Sequence, residues 1–271
     1  MKSEVDGISL IITTYNWKEA LSAVLQSVKK QSVLPDEVIV ADDGSREDTR
    51  MAIHEMAKDF PVPLIHSWQE DLGFRAAMSR NRAIAKSSSP YMVIVDGDII
   101  LHPKFIEDHF RCAEKNCFVI GSRTLLSKQL TERILLGENI EISFFSKGIK
   151  NRKNLINNSF LSTLFTRKTT ALKRAISCNM GFWKDDIIKV NGFNEDFTGW
   201  GREDSELVVR LLNAGFVRKS LKFKANGLHL YHPENNRDRL SVNDGLLAET
   251  IANKKTRCEN GISNHLSIAK I

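Results

Sequence analysis

One stretch constrains this chain more than any other: residues 91–98, YMVIVDGD. Met92 to Val95 run without a polar break, as in a strand covered on both faces. The run stops on two carboxylates separated by a glycine. In an extended chain residues i and i+2 point the same way, so Asp96 and Asp98 can converge on one point. Gly97 leaves room there for a close approach to the backbone. Two hard oxygen donors past a buried strand suit a divalent cation that keeps open positions for phosphate oxygens. In open α/β sheets that strand end is also where ligands bind. An Asp-Gly turn with solvated carboxylates fits the same letters.

The rest of the chain supplies the context. Ile8 to Ile12 reads as a strand ending in Thr13, Thr14, Tyr15 and Asn16. Trp17, Ala20, Leu21, Val24, Leu25 and Val28 then recur at helical spacing. Val38 to Ala41 is a second buried strand, ending on Asp42 and Asp43, and its following helix turns Ile53, Met56, Ala57 and Phe60 inward. Leu64 and Ile65 belong to a third strand, Gly73 to Lys86 to a helix, Pro103 to Cys112 to another, and Cys117 to Gly121 to a strand. Such alternation predicts a parallel sheet with right-handed crossovers. The polar strand ends, Thr13/Tyr15, Asp42/Asp43 and Asp96/Asp98, then share its carboxyl edge. No phosphate-cradling G-x-x-x-x-G-K-[ST] loop and no clean G-x-G-x-x-G is present, which excludes a P-loop enzyme and a dinucleotide dehydrogenase.

Residues 124–174 differ in character. Lys128, Arg133, Lys147, Lys150, Arg152, Lys153, Arg167, Lys168, Lys173 and Arg174 are interleaved with Phe144, Phe145, Phe160 and Phe165. The segment reads as inserted helices and loops that concentrate the net charge of +6. Without a recognised nucleic-acid module, an anionic membrane or acceptor ranks above nucleic acid as its partner, and a plain solvated face is the bland alternative. Further on, Lys184 to Val190 reads as a helix stopped by Asn191 and Gly192. The run from Gly199 to Glu206 opens another, with Leu207, Val208, Leu211 and Leu212 apolar and Gly215 closing it. Phe216 to His232 alternates in part like a strand, and the final ten or so residues are expected to add nothing to the core. Four cysteines, Cys112, Cys117, Cys178 and Cys258, form no zinc-like C-x-x-C pairs and read as reduced thiols. No apolar run approaches the roughly 20 residues of a membrane span, and the start, MKSEVD, has no signal-peptide core. A cytoplasmic protein, peripheral at the inner face of a membrane, is the expectation.

Five motifs in this order resemble the inverting glycosyltransferases of family 2: Thr13–Asn16, Asp42–Ser45, Ser79–Asn81, Asp96–Asp98, and the pair formed by 179–182 (NMGF) with 199–204 (GWGRED). The last pair is similar to the galactosyltransferase-type half of bacterial chondroitin-type polymerases, with Arg202 where that family carries a further glycine. The resemblance implies a GT-A fold: a mostly parallel Rossmann-like sheet flanked by helices, a single domain with a helical insertion and a C-terminal acceptor-binding part. It implies a donor half (1–122), the basic insertion (123–175), an acceptor and catalytic half (176–240) and a tail (241–271). By resemblance, Thr13, Tyr15, Asp42, Asp43, Arg80, Asp96 and Gly97 hold the nucleotide of a UDP-sugar. Asp96, Asp98 and His232, with His229 as runner-up, hold Mn²⁺ or Mg²⁺. Asp204 is the general base, with Glu203 beside it, and Trp200, Gly201 and Arg202 meet a saccharide or lipid-linked acceptor in surface-polysaccharide or lipopolysaccharide synthesis. Glu203, Asp204 and Glu206 also suit a first helical turn on dipole grounds alone. A nucleotidyltransferase, or an inactive UDP-binding module on the same fold, is the alternative.

Overall fold

The computed structural model of the protein describes residues 5–171, 178–233 and 236–266. Residues 1–4 of the opening stretch, Lys173, Arg174 and Ser177 of the basic segment and its exit, residues 234–235, and residues 267–271 of the tail lie outside them. The chain opens with three strand–helix units: β1 (Ile8–Thr14) and α1 (Lys18–Lys29), β2 (Glu37–Asp42) and α2 (Glu47–Ala57), β3 (Leu64–Trp68) and α3 (Ala76–Lys86). β4 (Tyr91–Asp96) turns through Gly97 into β5 (Ile99–Leu101), followed by α4 (Phe105–Cys112), β6 (Cys117–Ile120) and β7 (Ser122–Leu126). The basic segment holds α5 (Lys128–Leu135), β8 (Ile149–Lys150), a 3-10 turn (Arg152–Leu155), α6 (Ser159–Phe165) and β9 (Arg167–Thr169). Then come β10 (Asn179–Trp183), α7 (Lys184–Lys189), α8 (Glu203–Asn213), β11 (Val217–Ser220), β12 (Asn226–His229), α9 (Leu240–Ala252) and α10 (Ser263–Leu266).

The unbroken apolar runs are strands because both their faces are covered. Ile8, Leu10, Ile12, Val38, Val40, Val93 and Val95 pack on the α1 face with Leu21, Val24, Leu25 and Val28. Ile11, Ile39, Ala41, Met92 and Ile94 pack on the other face with Ala83, Ile84, Leu207, Val208 and Leu211. That period of two divides one apolar run between two cores. The main sheet runs β3-β2-β1-β4-β10-β6-β11-β9. Its first four strands are parallel, whereas β10 lies antiparallel between β4 and β6, and β9 pairs antiparallel with β11. A second sheet, β5-β12-β7-β8, stands beside the carboxyl end of β4.

Several expectations need correction. The basic segment is not only helices and loops: it also supplies β8 and β9, strands too short to show a period. α2 ends at Ala57, which faces solvent, and α3 begins at Ala76 rather than Gly73. Of the final ten or so residues, Ile262 does enter the core, in the cluster under α3 and α8 with Leu266 packed against it; ahead of them Asn243, Thr250 and Cys258 are also buried. The four cysteines are free thiols, as expected.

One buried ion pair fixes the approach of α8 to the sheet. Arg210 donates from Nε and Nη2 to the Glu206 carboxylate at 2.8 and 2.7 Å, and from its amino nitrogens to the carbonyls of Val190 and Gly192. Both residues are almost fully buried, and Thr250 of α9 donates to the same carboxylate. Removing one partner strands the other charge, a loss of about 3–5 kcal/mol. Arg210→Met is expected to lower unfolding stability by that amount in urea titration; an unchanged midpoint would contradict this role.

Candidate active site

The sheet's carboxyl edge gathers the polar strand ends. After β1, Asn16 takes a left-handed conformation. Its N–H donates to Ser45 Oγ at 2.8 Å and its Oδ1 accepts from Arg46 N–H at 2.9 Å, tying the β1 and β2 loops together. Gly44 has φ +98°, and a Cβ there would sit 2.6 Å from Asp71 Cα, so no other residue fits. Tyr15 lies 51% exposed at this edge, and its hydroxyl donates to Asp71 at 2.9 Å. Such a flat ring with a fixed tip is a stacking surface.

The adjacent aspartates at the end of β2 take different partners. Asp42 is fully buried; Oδ1 accepts from Ser45 N–H at 2.7 Å and Oδ2 meets His66 Nε2 at 2.8 Å. It builds the turn. Asp43 accepts from Gln69 Nε2 at 2.6 Å and Arg75 N–H at 2.8 Å, so its carboxylate is held in one orientation. Burial pushes its pKa up to about 6 against those two bonds. Gln69 and Asp71 were missed in the sequence, although they follow β3 at the same edge, where polar residues were to be expected.

At the end of β4 the two aspartates also diverge. The strand stops at Asp96 and a turn carries Gly97 and Asp98, so strand alternation no longer aligns them. Gly97 is needed for a reason internal to the fold: a Cβ would lie 2.2 Å from the Thr13 carbonyl oxygen. Asp96 Oδ1 lies 3.4 Å from Thr13 Oγ1, which donates to it, and 3.7 Å from Arg80 Nη2. Burial, then the charge of Asp98, raises its pKa.

Asp98 instead faces two histidines. β12 pairs with β5 so that His229 stands opposite Ile99, and Leu230 N–H donates to the Asp98 carbonyl at 2.9 Å. Asp98 Oδ2 lies 3.2 Å from His232 Nε2 and 3.6 Å from His229 Nε2. The three ligand atoms lie within 4.8 Å of one another, a spacing a single cation can bridge. The other oxygen, Asp98 Oδ1, is buried and has no hydrogen-bond partner among the described residues. His232 Nδ1 lies 2.7 Å from the Pro233 carbonyl, which requires the proton on Nδ1 and leaves the Nε2 lone pair facing a carboxylate. A proton or a metal ion must lie between them. Asp96 stands outside this cluster; His229 stands inside it with His232.

Residues 199–204, expected on the acceptor side, lie at the start of α8 and in the loop before it. Glu203 is buried and accepts from Arg80 Nη1 at 2.9 Å, so Arg80 bridges Asp96 of β4 to Glu203 of α8. Burial opposes the Arg80 charge, but Glu203 and Asp96 hold its pKa above the ordinary value. Asp204, half-buried, accepts on Oδ1 from Ser205 N–H at 2.6 Å and adds to the negative field at Asp96. Arg202, left-handed at φ +78°, donates to Asp244 of α9 at 2.6 Å. Gly201 is held by Asn243, which donates to its carbonyl at 2.9 Å; at Gly199 a Cβ would strike Arg239 at 2.7 Å. These glycines set the shape of the loop rather than its freedom to move. Trp200 lines a cleft of about 260 Å³ with Phe74, Asp238 and Arg239. Arg123, absent from the sequence reading, adds a half-buried positive charge near Asp96 and Asp98.

This mixed α/β sheet with an acidic carboxyl edge is the GT-A class of fold. Residues 9–177 match the model of glycosyl transferase family 2, and 164–233 match that of the N-terminal domain of galactosyltransferase. The chain belongs to glycosyl transferase family 2. It is 26% identical over 253 residues to a chondroitin synthase of Escherichia coli (85% of this chain, 35% of that protein). It is 28% identical over 229 residues to a validoxylamine A glucosyltransferase of Streptomyces hygroscopicus subsp. limoneus (77% of this chain, 48% of that one). The chain thus spans about half or less of these relatives. Its fold matches the crystal structure of S. aureus TarS 1-349 in complex with UDP, with TM-score 0.61 and 15% identity over 96% of this chain and 68% of that one.

The Asp98–histidine geometry sets a pH dependence. The hydrogen bond to Asp98 raises the His232 pKa above its ordinary value, against burial, whereas burial lowers that of His229. The His232 imidazolium therefore contributes stability at low pH that is lost as pH rises through its folded pKa. A cation on the same atoms must displace that proton. Mn²⁺ affinity is expected to rise with pH across this range, with proton release seen by calorimetry in buffers of differing ionisation enthalpy. Binding independent of pH and without proton release would contradict it.

Proposed function

We propose that the chain is an inverting glycosyltransferase that moves a hexose or N-acetylhexosamine from a UDP-sugar to a saccharide or lipid-linked saccharide acceptor in bacterial surface-polysaccharide or lipopolysaccharide synthesis. One observation carries the reading: Asp98, His229 and His232 meet at the same sheet edge where Arg80 links Asp96 to Glu203, next to Asp204. Relatives named as chondroitin synthase and glucosyltransferase, and a fold neighbour crystallised with UDP, support it. Tyr15 would stack on the uracil and Asp43 accept its imide N–H, with Thr13 alongside. The carboxylate–imidazole set of Asp98, His229 and His232 suits Mn²⁺ better than Mg²⁺, which asks for oxygen ligands. When bound, the ion supplies positive charge to the departing diphosphate.

The chain's own residues supply the rest. Inversion at the anomeric carbon needs the acceptor hydroxyl to lose its proton as it attacks from the face opposite the diphosphate. Glu203 is locked against Arg80, which leaves Asp204 as the available carboxylate. Asp204, at the start of α8 beside Glu203, would take the proton. Trp200 would offer the acceptor sugar a flat apolar face, beside Gly201 and Arg202.

Two outcomes test this division. Asp204→Asn is expected to keep UDP–Mn²⁺ affinity near wild type while kcat falls by about 10²–10⁴, and Trp200→Ala to raise the acceptor KM instead. Transfer by Asp204→Asn at the wild-type rate would reject Asp204 as the base. UDP binding without any transfer or donor hydrolysis would favour an inactive module.

A second test isolates Asp43. An imide N–H bonds more strongly to a carboxylate than to a neutral acid, and the Asp43 pKa of about 6 lies above the ordinary range. Ionised Asp43 thus costs the free protein stability above that pH, and uridine offsets part of the cost. Uridine affinity in EDTA is expected to weaken as pH falls through about 6. A flat profile, or one unchanged in Asp43→Asn, would contradict the role.

A further inference from the structure

The basic and aromatic stretch after β7 takes no part in the transfer proposed above, yet it is built in detail. Ser143 N–H donates to Ser146 Oγ at 2.9 Å and Ser146 N–H to the Ser143 carbonyl at 3.1 Å. These bonds close a tight turn with Phe144 and Phe145 at its tip. The two rings meet edge to face with centroids 5.5 Å apart, and Phe145 is 87% exposed. Neither ring belongs to any of the three hydrophobic clusters, so neither is displayed for the sake of the fold.

Cations surround this tip. Arg152 donates from Nη1 to the Phe144 carbonyl at 2.7 Å, which sets its guanidinium beside the turn. Lys147, Lys150 and Lys153 are exposed close by in the chain, and no described residue forms an ion pair with them. Of the acids in the loop, Glu138 is already paired with Arg133 at 2.7 Å, leaving Glu141 against four cations. Alongside, a cleft of about 600 Å³ is lined by Leu130, Ile140 and Ile142 together with Lys147.

We infer that this face docks on the headgroup region of an anionic lipid bilayer. Phe144 and Phe145 enter the interface while Lys147, Lys150, Arg152 and Lys153 meet lipid phosphates. Two exposed rings on a turn tip suit insertion into a fluid interface. The anionic surface complements the cations behind them. The docking face is also joined to the site: Tyr231 N–H, next to His232, donates to Thr131 Oγ1 of α5 at 2.8 Å. Docking would therefore hold the candidate active site close to the membrane surface.

The test reads binding rather than activity, so it stands apart from the proposed transfer. The full chain is floated with vesicles of phosphatidylcholine alone or with about one-third phosphatidylglycerol, at low salt and at 0.5 M NaCl. Expected is partition to the anionic vesicles only, weakened by salt as screening shortens the reach of the charges. Phe144→Ser with Phe145→Ser should lower it at least tenfold, as should Lys147→Glu with Lys150→Glu, with circular dichroism and UDP affinity unchanged. Equal partition to neutral vesicles, no partition at all, or no effect of the phenylalanine changes would overturn the inference. So would a dimer in sedimentation velocity that those changes dissolve, which would make the face a contact between copies.

Discussion

The candidate site depends first on the pairing of β12 with β5. Asp98 and the histidines are separated by more than a hundred residues of chain, and only the antiparallel register that sets His229 opposite Ile99 brings them together. Backbone hydrogen bonds enforce that register, including the one from Leu230 N–H to the Asp98 carbonyl. A slip of one residue would turn His229 to the other face of the small sheet. β7 and β8 complete that sheet and give β12 a parallel partner at His229, opposite Leu125. The basic segment thus has a structural use besides its surface: it covers what would otherwise be an open edge.

Buried charge is the second constraint. Arg80 sits between Asp96 and Glu203 and over the Phe193 ring, 5.1 Å from its centroid. The two carboxylates belong to different halves of the chain, so this one guanidinium couples the end of β4 to the start of α8. Arg210, about two helical turns beyond Glu203 in α8, holds that helix against the turn after α7. Asn81, next to Arg80, adds bonds to the backbone of Phe193 and to Glu195, and Gly192 leaves the room for its side chain. Arg210 and Asn81 are held by hydrogen bonds to carboxylate and backbone partners, whereas Arg80 Nε has no hydrogen-bond partner among the described residues. The fixed position of Asp204 follows from them, not from local helix propensity.

Much of this was legible in the sequence. The apolar runs from Ile8, Val38 and Met92 could only be covered strands, and their polar ends had to share one edge. What the sequence concealed has physical causes. Strand periodicity ends where the strand ends, so Asp96 and Asp98 face different partners although they are two residues apart. β5, β7, β8 and β12 are two to five residues long, too short for a period to show, and with them the histidine pairing stayed hidden. Asp42 and Asp43 read alike, but burial and partners assign one to the turn and leave the other at the edge. The polar tail concealed Cys258 and Ile262, whose burial depends on contacts with the Asn191 turn rather than on any pattern of their own.

Under the proposed function, one carboxylate and two imidazoles brought together by strand register would hold the cation. Pulsed electron paramagnetic resonance of Mn²⁺ added to the protein with UDP measures this directly. The account predicts ¹⁴N couplings from two imidazole nitrogens on the bound ion, reduced to one in His229→Ala, together with ³¹P coupling from the nucleotide. A Mn²⁺ signal with phosphate coupling but no nitrogen coupling would contradict it.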